Sequence, residues 1–180
     1  MAPLAMDPAS TPPFNLPFEA DRFFDDSSRP TAEPPQFVLL LGGVASGKSY
    51  TRRRKYKQGF VVLDAGEIFI SLSRGGYYDF PGPFALPLNE IGARVARRAV
   101  DERRSIVTEM LATDRQRFET VVHALVALGY KAQVVWIDCD IEEGARRNAA
   151  RGDYDISAFF CQDYHHDWLM DAARAAPTAS

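Results

Sequence analysis

Long apolar runs are missing from this chain of 180 residues, and no stretch approaches the roughly 18 residues that span a bilayer. Cysteine is scarce as well. Cys139 and Cys161 form neither a CxxC pair nor a disulfide framework, which excludes a disulfide-built scaffold and suits a reducing compartment. The first residues, MAPLAMDPAS, lack a charged region followed by an apolar stretch, so they do not read as a secretory signal. A cytoplasmic protein with no membrane association is expected. Charge of one sign is also lacking: 21 Lys and Arg against 24 Asp and Glu leave a net charge of −3, with no footprint for nucleic acid. His165 and His166 have no companion cluster that suggests zinc, and His123 reads as a surface or filler position on a helix.

Proline is rare beyond residue 35, because eight of the 12 prolines precede that point. Proline removes a backbone donor and fixes φ, so residues 1–35 are expected to be a mostly disordered arm, leaving 36–180 as one domain. Phe14, Phe23 and Phe24 could dock that arm on the domain or on a partner.

The rest alternates strands with helices. Phe37-Val-Leu-Leu-Leu41, Phe60-Val-Val-Leu63, Ser105-Ile-Val-Thr108 and Val134-Val-Trp-Ile137 are short apolar runs of the kind buried on both faces. Helices are expected at about 48–57, 88–103, 113–128 and 140–151, with a last one near 164–174. Leu88, Ile91, Val95 and Ala99 make an apolar stripe, and Thr113 with Gln116 and Asp140 with Glu143 match capping boxes. Such alternation implies parallel strands joined by right-handed crossovers, an α/β three-layer sandwich with a small parallel sheet. Ligands of such folds sit beyond the carboxyl ends of the strands, and three strand ends here carry an acid: Asp64, Glu109 and Asp138.

Gly42-Gly43-Val44-Ala45-Ser46-Gly47-Lys48-Ser49 fits G-x-x-x-x-G-K-[ST] at every defined position, after a buried strand and before a helix. The glycines let main-chain N–H groups converge on phosphate oxygens, and the helix start adds its positive dipole end. Lys48 supplies a point charge for the β- and γ-phosphates, and the Ser49 hydroxyl a ligand for Mg²⁺. A nucleoside triphosphate, ATP with Mg²⁺, is therefore the expected ligand. The basic run Arg52-Arg-Arg-Lys55 reads as a solvated helix face. No N-K-x-D follows, so a GTPase switch is not supported. Size and acidic strand ends favour a kinase with a small-molecule acceptor.

From about Gln36 to Arg151 the chain resembles the zeta toxin family of P-loop kinases. The phosphate loop, Asp64 and Glu109 at strand ends, and arginines on the helix after strand four carry the likeness. That resemblance implies the P-loop kinase fold and phosphorylation of a hydroxyl on a nucleotide or sugar nucleotide. It leaves room for an inhibitory protein partner of antitoxin type. The sequence departs from the family at Gly66, where a second acid is usual, and at Met110-Leu111, where Gly-Thr is usual. Asp64, with Glu67 as substitute, is expected to orient or deprotonate the acceptor. Glu109 is expected to hold Mg²⁺ or orient the acceptor, and Asp138 to be structural. Arg146, Arg147 and Arg151 are expected to form a lid that neutralises the γ-phosphate. Tyr77, Tyr78 and Phe80 could line the acceptor pocket. Leu63-Asp-Ala-Gly-Glu also looks like a turn of nucleoside monophosphate kinases, the alternative reading beside a degenerate ATP-binding module.

Overall fold

A computed structural model describes residues 15–24, 33–73, 80–111 and 115–150. Its elements are α1 (Leu16–Asp21), β1 (Gln36–Leu41), α2 (Lys48–Lys55), β2 (Val61–Leu63), α3 (Ala65–Ser73), α4 (Ala85–Asp101), β3 (Ile106–Met110), α5 (Arg115–Ala127), β4 (Lys131–Trp136) and α6 (Ile141–Ala149). The four strands form one parallel sheet in the order β2-β3-β1-β4. The expected α/β architecture is therefore present.

β1 explains why the sheet needs cover on both faces. Its residues from Phe37 to Leu41 are all fully buried. Phe37, Leu39 and Leu41 join α3, α4 and α5 in the larger core, whereas Val38 and Leu40 face Tyr56 and Phe60 beyond α2. Chain direction accounts for the split. The connection from β1 to β2 runs one way across the sheet, while those from β2 to β3 and from β3 to β4 run back. A right-handed crossover that reverses direction must change face, so α2 covers one side and α3 to α5 the other. The result is three layers. The phosphate loop follows β1 and Glu109 lies on β3, so the point of reversal sits where the acids gather.

The disordered arm expected through residue 35 does not hold over residues 15–24. α1 packs on α4, Ala20 enters the core, and the Arg98 guanidinium lies 4.1 Å from the centre of the Phe24 ring. Apolar side chains amid the prolines suffice to dock this short piece. α3 was not foreseen, because its glycine and its short length hide the apolar stripe Ile68, Phe69 and Leu72. The expected cap at Thr113, the helix near 164–174, and residues Tyr77, Tyr78, Cys161, His165, His166 and Arg151 lie outside the described residues. No helix among the described residues is long and apolar enough to cross a membrane.

Candidate active site

The loop from Gly42 to Gly47 turns back on itself between β1 and α2. Gly47 has φ of 105°, a conformation that side chains rarely adopt, and it caps α2 so that Lys48 and Ser49 open the helix. A Cβ on Gly42 would stand 2.4 Å from the Ile137 carbonyl oxygen, so glycine there lets the loop press against the chain leaving β4. A Cβ on Gly43 or Gly47 would meet nothing within 4 Å, and the loop keeps open space on that side. The buried Ser46 Oγ has no hydrogen-bond partner among the described residues. Lys48 is buried, and its Nζ donates to the carbonyl oxygens of Gly42 at 3.0 Å and Gly43 at 2.6 Å. The ammonium is thus held at the loop it would serve. An open glycine cradle, an orphaned hydroxyl and a fixed ammonium fit a triphosphate tail.

Ser49 Oγ donates to Glu109 Oε2 at 2.7 Å, bringing together two hard oxygen ligands. Among the described residues no group of three or more His, Cys, Asp or Glu could hold a metal. A Ser–Glu pair nonetheless fits Mg²⁺, which takes one or two protein oxygens and fills its octahedron with water and phosphate.

Arg52 corrects the reading of a solvated basic face. It is buried, its Nε donates to Glu109 Oε1 at 2.6 Å, and its Nη2 donates to Glu67 Oε1. The signal was present in the spacing, because Arg52 stands four residues after Lys48 and so on the same side of α2. Arg53, by contrast, is exposed and donates to Glu67 at 2.9 Å. Burial pushes the Glu67 carboxyl up, but the hydrogen bonds and charges of Arg53 and Arg52 bring it below its ordinary value. Both arginines thus occupy Glu67, and it does not line the cavity described next.

Asp64 follows β2, and its Oδ1 accepts from the Glu67 N–H at 2.8 Å, which caps α3. Its carboxyl is pushed up to about 6, first by burial and then by the negative charge of Glu109, against the pull of the Glu67 N–H and Arg52. A cavity of about 710 Å³ joins Lys48, Ser49, Asp64 and Glu109, and Gly66 and Phe80 also border it. That volume is ordinary for a small-molecule site.

Arg146 and Arg147 do not join this group. Both sit exposed on α6 and bind Glu143, with Arg147 Nε at 2.6 Å from Glu143 Oε1 and Arg147 Nη1 at 3.7 Å from Cys139 Sγ. Asp140 caps α6 as its sequence suggests, accepting from the N–H groups of Glu142 and Glu143. Asp138 and His123 are exposed and do not border the cavity.

Solved structures share this architecture. The PezAT chromosomal toxin–antitoxin system of Streptococcus pneumoniae matches with a TM-score of 0.56 at 13% identity, over 80% of this chain and 64% of that one. The AvrRxo1-ORF1:AvrRxo1-ORF2 structure with sulphate ions matches with a TM-score of 0.52 at 15% identity, over 65% and 41%. The Pnkp1/Rnl/Hen1 RNA repair complex matches with a TM-score of 0.54 at 16% identity, over 80% and 47%. The chain spans less than two thirds of the length of each of these, and at such identities the likeness is one of fold. No curated protein sequence matches it. The fold is the P-loop kinase type that the resemblance to zeta toxins implied. A family model described as AAA domain matches residues 37–176, and the chain belongs to that family.

Proposed function

We propose that this protein transfers the γ-phosphoryl group of ATP to a hydroxyl of a small molecule. The carrying observation is one cavity that holds the phosphate-loop lysine, a serine–glutamate pair and a buried aspartate together. In this reading the main-chain N–H groups of Gly42 to Gly47 and the Lys48 ammonium bind the triphosphate, and Lys48 offsets charge on the transferred group. Ser49 and Glu109 hold Mg²⁺, which supplies charge neutralisation and orientation of the phosphates. Arg52 keeps Glu109 turned toward Ser49. Asp64 takes the proton of the acceptor hydroxyl, a role that its position in the cavity and its raised pKa support. Glu67 is not assigned the substitute role, because two arginines bind it. Arg147 enters only through movement of α6 away from its Glu143 pairing, and no step is assigned to it. The toxin–antitoxin neighbour supports an inhibitory protein partner as part of the same reading.

A second reading is favoured by Gly66, which borders the cavity where zeta-like kinases carry an acid. It makes the chain a nucleotide-binding module without turnover. Incubation with γ-labelled ATP, Mg²⁺ and a metabolite extract distinguishes the two. The first reading expects label in a small organic molecule, lost in Lys48→Ala and reduced at least about 100-fold in Asp64→Asn, the lower end of the range for a general base. Nucleotide binding without any labelled product would select the second.

A further inference from the structure

The cavity reaches well beyond the groups that phosphoryl transfer uses. From Lys48 and Ser49 it runs along one face of the sheet to Phe37 and Ile106, which pair near the amino ends of β1 and β3. Phe37 and Leu41 stand four steps apart along β1, a length of about 13 Å at the usual rise. α4 explains the space. Leu88, Ile91, Val95 and Ala99 press on the core, while Asn89, Gly92, Ala96 and Val100 recur three or four apart and border the cavity. Two residues of this second stripe, Gly92 and Ala96, carry too little side chain to fill the space toward Val121 and Leu125 of α5, which border the same cavity.

Charge restricts what can enter. Among the described residues that line the cavity, Lys48 is the only cation, and its Nζ is bound to the phosphate loop. The other ionisable groups there are Asp64 and Glu109, both acids. Glu109 is already engaged by Arg52 and Ser49. A phosphorylated acceptor would therefore add its anion beside Asp64 and the triphosphate. Among the described lining residues no side-chain cation other than Lys48 stands there to receive it, which is costly in a partly desolvated site. An apolar body loses nothing there and gains by leaving water.

We propose that the acceptor is an uncharged alcohol with an elongated apolar body, lying between α4 and α5 with its hydroxyl at Asp64. The inference rests on the kinase reading above and narrows its substrate away from nucleotides and sugar nucleotides. In the step itself, the hydroxyl oxygen bonds to the γ-phosphorus and the bond from that phosphorus to the bridging oxygen breaks. ADP leaves with that oxygen, and the hydroxyl proton passes to the Asp64 carboxylate.

The test uses the full chain with saturating Mg·ATP, following ADP release with butan-1-ol, hexan-1-ol, octan-1-ol and UDP-glucose as probes. KM should fall about fourfold for each methylene added, the factor that corresponds to burying one CH₂. UDP-glucose should give no alcohol-like turnover. Ala96→Leu should raise the KM of octan-1-ol at least tenfold with affinity for Mg·AMP-PNP unchanged, and the wild-type series stands alone should that variant fail to fold. A KM independent of chain length would overturn the proposal. So would preferred transfer to UDP-glucose, or no transfer to any alcohol by protein that binds Mg·AMP-PNP. Absence of Mg·AMP-PNP binding by the wild-type protein would instead remove the kinase reading, and this inference with it.

Discussion

Two carboxylates, Glu67 from α3 and Glu109 from β3, reach the guanidinium of Arg52 on α2, and little water reaches the cation or Glu109. Removing one partner of such a group leaves a buried charge without compensation, at a typical cost of about 3–5 kcal/mol. Arg52→Gln should therefore lower unfolding free energy by that order in urea titration. Arg53→Gln, which removes an exposed partner of the same Glu67, should change it by less than about 1 kcal/mol. Equal effects of the two substitutions would contradict the geometry. Asp64 gives a second prediction, whose sign follows from its raised pKa. The folded protein holds that proton more tightly than the unfolded chain, so ionising Asp64 opposes folding. The penalty is absent below about pH 4 and grows until the carboxyl has ionised near pH 6. Asp64→Asn keeps the Oδ1 that caps α3 and removes the charge. It should raise the melting temperature at pH 8 and change it little at pH 4, while lowering transfer at least about 100-fold. Wild-type transfer should fall as pH drops through about 6.

At the scale of elements, the loop between β1 and α2 separates glycines that the fold needs from those it tolerates. Gly42→Ala drives a Cβ into the Ile137 carbonyl, so the loop or the chain after β4 must move, at about 1–3 kcal/mol. Gly43→Ala meets open space without a positive φ and should leave stability within about 1 kcal/mol of wild type. Thermal unfolding of the two variants side by side checks this, and equal losses would refute it. The elements themselves were legible to different degrees. β1 and α4 declare themselves through an unbroken apolar run and a 3.6-residue stripe. β4 begins at Lys131, earlier than its apolar run, because the pairing of Gln36 with Lys131 and of Phe37 with Ala132 comes from its neighbour β1. The same tertiary dependence hid Arg52. A run of four basic residues reads as solvated until β3 and α3 bring acids to one of them.

For the whole molecule, the order β2-β3-β1-β4 was not readable, whereas parallel strands covered on both faces were, from alternating elements and the handedness of crossovers. That rule places the phosphate loop, Asp64 and Glu109 at one end of the sheet, where a single cavity joins them. The elongated lobe between α4 and α5 was not readable, since it depends on which of two stripes on α4 faces the sheet. α1 was likewise hidden within a proline-rich stretch, although it packs on α4 and ties Asp21 to Arg98 at 2.6 Å. The central claim is that the loop after β1 seats a triphosphate through Lys48. Calorimetric titration of the folded chain with Mg·AMP-PNP tests it most directly. One saturable site is expected, weakened at least about tenfold in Lys48→Ala. No heat of binding from folded wild-type protein, or equal affinity in the variant, would contradict it.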